Sequence, residues 1–346
     1  MPEGPEIKVS ACILDVILKG KYKIKDLYNY VDSRIYNVKD LHITSIFSHG
    51  KKMIITTNEG KALAVSFGLT GFFVLQINSR ALPSHPESLR YIFELEPLSS
   101  SVKLMKTDNP NETEYTEYDT CTMYLCYYDQ LKYGTIELHD NTEFIKGYSP
   151  DILSYKLCNI KFPYEDVYKA CKRSRTIDIA GFIIDQKNMS GIGNYIKCEC
   201  LYRSGINPER LAKSVTLREL TTIIDNASQI MLESYLSLNS DGYYLPVLFP
   251  SDTSLMYQGN INLSSINQNV TSDSYLHEIN RINQLLTQII DAYNINPKSL
   301  HTYNTLQKGL YHKQIYKKKI DPLGNNIVIS NTKDKRKTFW VPLVQK

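Results

Sequence analysis

The first residues of the chain combine two groups that could carry out covalent chemistry. The sequence begins MPEGPEI, so removal of Met1, which the small Pro2 permits, would leave a secondary amine beside the carboxyl group of Glu3. An α-amine has a pKa of about 8, so a useful fraction is unprotonated near neutral pH, unlike a lysine with a pKa of about 10.4. Such an amine can attack an electrophilic sugar carbon and form an imine, while the adjacent acid moves protons to and from the sugar. Many chains begin in this way with a proline that only starts a helix, so the motif needs support from elsewhere in the sequence.

A second segment, GIGNYIKCEC at 191–200, has the pattern of a tight turn that opens a helix. The first N–H groups of a helix have no partner within it, so they can bind an anion such as a phosphate. Asn194 could add a side-chain donor to the same phosphate. The apolar segment before it and LYRSGINPER after it, with Gly205 at a helix end, predict a helix–two-turn–helix. The alternative is an ordinary helix start.

The C-terminal segment is strongly basic. Residues 301–346 contain ten Lys or Arg and two Asp, a net charge of +8, whereas the whole chain has +4, so the other 300 residues have −4. Arg336 falls in a predicted hairpin turn, where its planar guanidinium could bind a phosphate. Basic residues interspersed with aromatic ones are typical of nucleic-acid contacts. A solvated basic tail is the alternative.

The remaining sequence predicts the elements that position these groups. Residues 1–150 contain aromatic and β-branched runs separated by turn signals, preceded by one helix from Pro5 to about Lys19. Helical periodicity follows from about 151 to 235, and residues 237–275 are rich in Ser and Asn, which predicts a surface insertion or a disordered segment. The tail reverts to short strands around a turn at Gly324 and Asn325. The pattern is a β domain, a helical domain and a small basic β appendix.

The composition excludes several classes of protein. With 346 residues, 42% hydrophobic and 22% charged, the chain is a globular protein of two or three domains and not a wholly disordered one. The longest apolar stretch, 62–76, is short and contains two glycines, so it cannot span a bilayer. The acidic N-terminus lacks an apolar core, and the seven cysteines form no CxxC. We therefore expect free thiols and an intracellular, non-secreted protein, with nucleus or cytoplasm left open.

Together these motifs resemble the Fpg/Nei family of DNA glycosylases. The resemblance lies, in chain order, in MPEGPEI, Gly50–Lys51 before a strand, FGLTG at 67–71, the segment 185–210 and RKTFWVPLVQ at 336–345. It is poorest over 211–310. It implies an α+β fold with an N-terminal β-sandwich and flanking helix (1–150), a helical helix–two-turn–helix domain (151–310) and a β-hairpin finger (311–346). It also implies a monomeric enzyme that needs no cofactor, excises oxidised bases from damaged DNA, and then nicks the strand at the abasic sugar by β,δ-elimination.

The resemblance also implies roles for the N-terminal residues. Pro2 matches the Schiff-base nucleophile that attacks C1′ of the sugar. Glu3 matches the group that donates and accepts protons during base loss and ring opening, and Glu6 a supporting carboxylate. These roles agree with the chemistry expected of a secondary amine beside an acid.

Three further residues match groups that contact the DNA backbone in the family. Lys51 resembles the lysine that binds a phosphate and is linked to β-elimination. Asn194 resembles the asparagine of the helix–two-turn–helix. Arg336 resembles the finger arginine that clamps phosphates beside the lesion and is associated with δ-elimination, because cationic groups stabilise a departing phosphate.

The finger departs from the pattern of the zinc-containing members. Val341 and Val344 stand where the second cysteine pair would be, and DPLGNNI at 321–327 contains no first pair. We therefore predict a zincless finger, held by apolar packing, and no metal.

Three positions in the β domain could fill the space left when a base leaves the helix. Leu69, in FGLTG, occupies a position where methionine is common in relatives. In DQLKYG at 129–134 the family often has DPRRFG, so Leu131 replaces an arginine and Tyr133 a phenylalanine. A leucine cannot hydrogen-bond the opposite base, so we expect weak opposite-base preference and activity on single-stranded or bubble DNA. The alternative for all three is core packing.

The substrate is predicted less directly. Gly4 resembles the Nei-like branch, where Fpg-type members more often have leucine, which favours oxidised pyrimidines over 8-oxoguanine. Two alternatives remain: a non-catalytic nucleic-acid-binding protein, and an Fpg-type enzyme for oxidised purines. A protein that only binds has no need for a secondary amine beside an acid at its N-terminus.

Overall fold

The structure, a computed structural model, describes residues 2–29, 38–77, 87–98, 123–236, 247–249 and 313–346. The first helix, α1 (Gly4–Leu18), agrees with the predicted N-terminal helix. Glu6 accepts a hydrogen bond from the backbone N–H of Glu3 at 3.0 Å, which fixes the first turn. The buried side chains of Ile7, Ala11 and Leu14 then face the sheet.

The N-terminal part is a sheet of nine strands within the described residues. The strands are β1 (Tyr22–Asn29), β2 (Leu41–His49), β3 (Lys52–Thr57), β4 (Ala62–Ser66), β5 (Phe72–Ile77), β6 (Leu89–Pro97), β7 (Met123–Tyr128), β8 (Thr135–His139) and β9 (Val247–Phe249). Their order across the sheet is β8-β4-β3-β2-β1-β6-β7-β5-β9. All pairs are antiparallel except β5 with β9.

Strand β2 is shared by the two halves of this sheet. It pairs with β1 at Leu41 and His42, and with β3 from Ile43 to His49. Side chains from both halves, such as Met53 and Val65 on one side and Phe73 and Phe93 on the other, belong to one buried core. This shared core is what a folded sandwich requires, so the predicted β-sandwich with a flanking helix is confirmed.

Strand β9 lies within the predicted insertion. The composition predicts a surface insertion or a disordered segment at 237–275, and within it residues 247–249 pair in parallel with β5, with Val74 opposite Val247. Three residues of the insertion therefore extend the N-terminal sheet at its edge. Its other residues lie outside those described.

The second part is helical. It contains α2 (Ile152–Leu157), α3 (Tyr164–Arg173), α4 (Ile179–Ile184), α5 (Asn194–Arg203) and α6 (Leu217–Leu236). Asp151 and Asp178 begin α2 and α4 by accepting hydrogen bonds from backbone N–H groups of the first turn. Gly205, with φ +68°, ends α5, as the sequence predicted. Among the described residues no helix is long and apolar enough to cross a bilayer.

The C-terminal part is a two-stranded hairpin of β10 (Val328–Asn331) and β11 (Lys337–Trp340). Val341 is fully buried and packs with Ile315 against Cys198 and Tyr202 of α5. The finger is thus held to the helical part by an apolar cluster, which includes the valine that stands at one position of the missing cysteine pair. In the described part of the chain no three His, Cys, Asp or Glu side chains are grouped to hold a metal ion. The absence of zinc itself stays a prediction.

The turn at 321–325 is organised by one buried carboxylate. Asp321 accepts hydrogen bonds from the backbone N–H of Leu323 at 2.9 Å and of Asn325 at 2.7 Å, and from the Tyr202 hydroxyl of α5 at 3.0 Å. Gly324, at φ +86°, allows the tight turn that the sequence predicted. The segment that would hold the first cysteine pair in a zinc finger is here closed by hydrogen bonds.

Candidate active site

The start of α1 lies against the turn that precedes α5. The N–H of Gly4 donates to the carbonyl of Gly191 at 3.1 Å. A Cβ atom on Gly193 would lie 2.1 Å from the Cδ atom of Glu3, so only glycine allows this approach. The glycines of the GIGN motif therefore bring the N-terminus of the chain onto the start of α5.

The carboxylate of Glu3 occupies the N-terminus of α5. Its Oε1 accepts a hydrogen bond from the N–H of Tyr195 at 2.9 Å, and its Oε2 accepts one from Ile196 at 3.2 Å. These are the helix N–H groups that the sequence predicted to bind a phosphate. In the structure the anion at this helix start is Glu3 itself, so that prediction is wrong for the backbone groups. The side chain of Glu3 is only 1% exposed.

Burial changes the acid–base properties of Glu3 and Lys51. Burial raises the pKa of Glu3 from 4.5 to about 7, although Lys51 and the two backbone hydrogen bonds act in the opposite direction. Burial likewise lowers the pKa of Lys51 from 10.5 to about 8, against the attraction of Glu3, and the charge of Arg336 lowers it further. Both groups therefore exchange protons near neutral pH, as a general acid and base should.

Lys51 lies in the turn between β2 and β3, directly before the strand, as the sequence predicted. Gly50 has φ +55°, and a Cβ atom there would lie 2.4 Å from the Cβ of Ser190. The turn is therefore packed tightly against the loop that leads into α5. This contact brings Lys51 and Glu3 into one site although they lie on different elements.

Glu6 is the second carboxyl group of the site. Its Oε2 accepts from the Glu3 N–H and its Oε1 accepts from the Tyr195 hydroxyl at 3.2 Å. Burial raises its pKa above the usual value. Glu6 thus fixes the backbone of Glu3 and the ring of Tyr195, which fits the supporting role that the resemblance implies. Pro2 is buried at the same junction, and Met1 lies outside the described residues.

Asn194 and Arg336 lie where α5 meets the finger. The side-chain amide of Asn194 donates to the carbonyl of Lys337 at 3.0 Å, and its buried oxygen Oδ1 lacks a hydrogen-bond partner within the described residues. The structure thus gives Asn194 a partner in the protein, and its contact with DNA stays a prediction. Arg336 is exposed, directly before β11, in the predicted hairpin turn.

The three candidate void-filling residues lie on two adjacent loops. A Cβ atom on Gly68 would lie 2.8 Å from the backbone of Tyr133, so the loops touch. Asp129 accepts a hydrogen bond from Thr70 at 2.5 Å, which ties one loop to the other. Leu131 and Tyr133 are 49% and 64% exposed, which excludes core packing for them, whereas Leu69 is half-buried.

Two cationic residues of the site were missed by sequence reasoning. The buried ammonium of Lys197 donates to Asp334 at 2.8 Å, and Lys313 lies over the ring of Tyr195 at 5.2 Å from its centroid. Lys197 follows Asn194 by three residues, and side chains at this spacing lie on the same face of a helix, so the sequence could have placed both together. No local pattern points to Lys313.

The assembled features define a class of protein: a β-sandwich with its N-terminal residues packed on a helix–two-turn–helix, followed by a basic hairpin. Two family models match the chain, the formamidopyrimidine-DNA glycosylase H2TH domain at residues 157–241 and the formamidopyrimidine-DNA glycosylase C-terminal domain at 306–346. Over these two segments the chain is similar to the Fpg/Nei family of DNA glycosylases.

Individual relatives agree with this similarity. The chain is 33% identical over 107 residues to formamidopyrimidine-DNA glycosylase of Mycoplasma pneumoniae, a match that covers 31% of this chain and 38% of that protein. It is 24% identical over 226 residues to endonuclease 8 of Salmonella arizonae, a match that covers 64% of this chain and 75% of that protein. The solved complex of Lactococcus lactis Fpg with DNA containing an abasic site is similar over the full length of both chains, with a TM-score of 0.63 and 16% identity, which supports the fold.

Proposed function

We propose that this protein is a DNA glycosylase of base excision repair with AP lyase activity, which acts on oxidised bases through a Schiff base on Pro2. The observation that supports this proposal most strongly is the junction of Glu3 with α5. It holds an acid with a pKa of about 7 next to the residue whose amine would be the nucleophile. A protein that only bound nucleic acid would need no proton donor beside an N-terminal amine at this place.

The proposed reaction begins at C1′ of the damaged nucleotide. With Met1 removed, the nitrogen of Pro2 forms a bond to C1′ and loses its proton, and the bond from C1′ to the base breaks, with its electron pair and a proton equivalent to the one released by Pro2 passing to the base. Protonated Glu3 gives its proton to the ring oxygen as the sugar opens, which leaves an iminium ion between Pro2 and C1′. The raised pKa of Glu3 keeps this proton available near neutral pH.

Strand cleavage follows from the iminium ion. Its positive charge acidifies the C2′ proton, and loss of that proton expels the 3′ phosphate (β-elimination). Loss of a further proton expels the 5′ phosphate (δ-elimination), and water then hydrolyses the imine to free Pro2. We assign Lys51 and Arg336 to stabilising the departing phosphates, because Lys51 lies close enough to both Glu3 and Arg336 for their charges to shift its pKa.

We further propose that the substrates are oxidised pyrimidines, as in the Nei-like branch. Gly4 supports the branch, although its surroundings explain it by packing. A Cβ atom there would lie 3.1 Å from the Cα of Gly191 and from the methyl group of Met231, so a larger residue would require both to move. The exposed Leu131 supports weak recognition of the opposite base and activity on single-stranded or bubble DNA. We also propose a monomer located inside the cell, wherever DNA is.

Borohydride trapping on DNA with thymine glycol or an abasic site tests this function. The wild type, with Met1 removal confirmed by mass spectrometry, should form a covalent adduct, and Pro2→Ala should lose the adduct while still binding DNA. A wild type that binds such DNA but forms no adduct would establish the non-catalytic alternative. Cleavage of 8-oxoguanine in preference to thymine glycol would instead favour the Fpg-type alternative.

DNA binding provides a separate measurement. Lys51→Gln and Arg336→Gln should each weaken binding to all sequences and reduce the slope of log affinity against log salt concentration by roughly 1, as expected for one lost phosphate contact. Because the pKa of Lys51 is about 8, its contribution should fall as the pH rises above 8. A salt slope that does not change in either variant would contradict the assigned phosphate contacts.

A further inference from the structure

Four hydrogen bonds attach the turn that contains Arg336 to the helical part, and one of them runs from the ammonium of Lys333 to the carbonyl of Thr176. The backbone N–H of Lys333 donates to Asp178 at 2.7 Å, Lys197 donates to Asp334 at 2.8 Å, and Asn194 donates to the carbonyl of Lys337 at 3.0 Å. Two of the four contacts, those of Lys197 and Asn194, come from side chains on the first turn of α5. The same turn donates its N–H groups to Glu3. One helix start therefore contacts both the acid of the site and the turn of the finger.

The contact between Lys197 and Asp334 is unusual for its burial. The side chain of Lys197 is fully buried, and that of Asp334 is 8% exposed. Replacing a buried ion pair by apolar residues often leaves stability unchanged or raises it, so its presence is weak evidence of a stabilising role. We therefore ask whether the pair fixes the position of a group that binds DNA.

Asp334 has direct contacts with the turn itself. Its Oδ2 accepts from Lys197, while its Oδ1 accepts from the Thr332 hydroxyl at 2.5 Å and from the backbone N–H of Arg336 at 3.3 Å. One carboxylate thus connects α5 with both sides of the turn. Lys335, at φ +59°, lies between these contacts and bends the chain sharply. Since the backbone of Arg336 is bonded to Asp334, the place of its guanidinium depends on where Lys197 holds Asp334.

We propose that Lys197 is a positioning residue: through Asp334 it holds the finger turn so that Arg336 reaches the phosphate beside the lesion. This inference rests on the proposed function, since it concerns a phosphate contact of that site. Lys197 and Asp334 have opposite charges and do not contact DNA themselves in this account. Neutralising both leaves the net charge of the protein unchanged, so a lost phosphate contact must come from a displaced group. Combining the double variant with Arg336→Gln shows whether that group is the arginine.

The salt dependence of DNA binding tests the proposal. The double variant Lys197→Met with Asp334→Asn is compared with Arg336→Gln on a duplex containing a tetrahydrofuran abasic analogue, by fluorescence anisotropy over a series of salt concentrations. We expect the slope of log affinity against log salt concentration to be smaller than that of the wild type by roughly 1 in both proteins. The triple variant, which combines the double variant with Arg336→Gln, should show no further decrease. Lys197→Arg, which keeps the pair, should retain the wild-type slope. A folded double variant with the wild-type slope would overturn the proposal.

A second ion pair on α5 provides the matched control. Arg203 at the far end of the helix pairs with Glu233 of α6 at 2.8 Å. The double variant Arg203→Met with Glu233→Gln also leaves the net charge of the protein unchanged, and we expect it to keep the wild-type slope. Loss of slope in this control as well would show a general effect of losing ion pairs and would also overturn the proposal.

A single substitution covers the case in which the double variant does not fold. Asp334→Asn keeps the shape of the side chain and removes one negative charge near the DNA. If Asp334 only repelled phosphate, this variant would bind DNA more tightly than the wild type. Positioning predicts the opposite, weaker binding and a smaller slope, because the amide holds Lys197 less strongly. Tighter binding would therefore contradict the proposal.

Product analysis separates this inference from the proposed chemistry. On abasic DNA the double variant should keep the borohydride-trapped adduct of the wild type, while the fraction of δ-elimination product falls at least ~10-fold. A wild type that binds the analogue but forms no adduct would refute the proposed chemistry and leave the salt slopes to decide the positioning. A double variant with the wild-type product ratio would refute the positioning alone.

Discussion

Replacing Glu3 by glutamine should change how the stability of the DNA-free protein depends on pH. The carboxyl group is 1% exposed, and its burial raises its pKa from 4.5 to about 7. Glutamine has nearly the same shape but does not titrate. A comparison of the two proteins over a range of pH therefore measures the cost of ionising this group, together with the shift that loss of the Glu3 charge causes in the titration of Lys51, which acts in the same direction.

The direction and size of the effect follow from the pKa. Between pH 4.5 and 7 the folded protein keeps a proton that the unfolded chain has released, so the free energy of unfolding of the wild type falls as the pH rises. The whole change is on the order of 3 kcal/mol, of which about 2.5 kcal/mol lies between pH 5 and pH 8. In Glu3→Gln the free energy of unfolding does not fall for this reason, because glutamine does not titrate.

The variant also has a cost that does not depend on pH. Glu3 accepts from two N–H groups, those of Tyr195 and Ile196, and the NH2 group of glutamine cannot accept from the second. This cost is about 1–3 kcal/mol at every pH. The informative quantity is therefore the change in the stability difference with pH, and the difference at any one pH decides little.

Urea unfolding followed by circular dichroism at pH 5, 6, 7 and 8 measures this quantity. Relative to that of the wild type, the free energy of unfolding of Glu3→Gln should rise by about 2 to 3 kcal/mol between pH 5 and pH 8. Glu209→Gln, which changes an exposed carboxylate, serves as the control. A stability difference that stays constant with pH, or one that moves in the other direction, would refute the argument that burial keeps Glu3 protonated near neutrality.

The other predictions concern the junction, the void-filling loops and the finger. Gly193→Ala should lower the free energy of unfolding by more than about 2 kcal/mol and abolish borohydride trapping, because its Cβ would lie 2.1 Å from the Cδ of Glu3. Gly147→Ala, with nothing within 4 Å of its Cβ, should stay within about 0.5 kcal/mol of the wild type by the same urea assay. Leu131→Ala and Tyr133→Ala, at exposed positions, should leave the melting temperature nearly unchanged but slow base excision in duplex DNA. The wild type should cleave duplex DNA with little preference for the base opposite the lesion. A strong preference would contradict the assignment of Leu131. Inductively coupled plasma measurement should find no zinc in the purified protein, and one zinc per chain would contradict the zincless finger.

The parts of the site that could be predicted from sequence are those determined by local patterns. The start of α1, the turn before β3 and the glycine-rich start of α5 each depend on a few neighbouring residues, so Glu3, Lys51 and Asn194 could be placed on their elements correctly. Local patterns also placed Arg336 in a turn. Such signals give the element on which a side chain lies.

The partners of these side chains could not be predicted, because they are distant in sequence. Glu3 contacts the N–H of Tyr195, and Lys197 contacts Asp334, and neither contact leaves a pattern in either segment. A helix start with free N–H groups looks the same whether a phosphate or a carboxylate of the protein will occupy it. The pairing of β9 could not be predicted for a similar reason, because a segment rich in Ser and Asn gives no sign that three of its residues pair with β5.

The most direct test of the proposed function is to locate the trapped adduct. After borohydride reduction on abasic DNA, digestion with nuclease and trypsin should leave the remnant of the sugar on the peptide of residues 2–8, PEGPEIK, with the modification on the nitrogen of Pro2. That result would establish the secondary amine as the nucleophile. A remnant found instead on a lysine peptide, such as one containing Lys51, would contradict the account of this site.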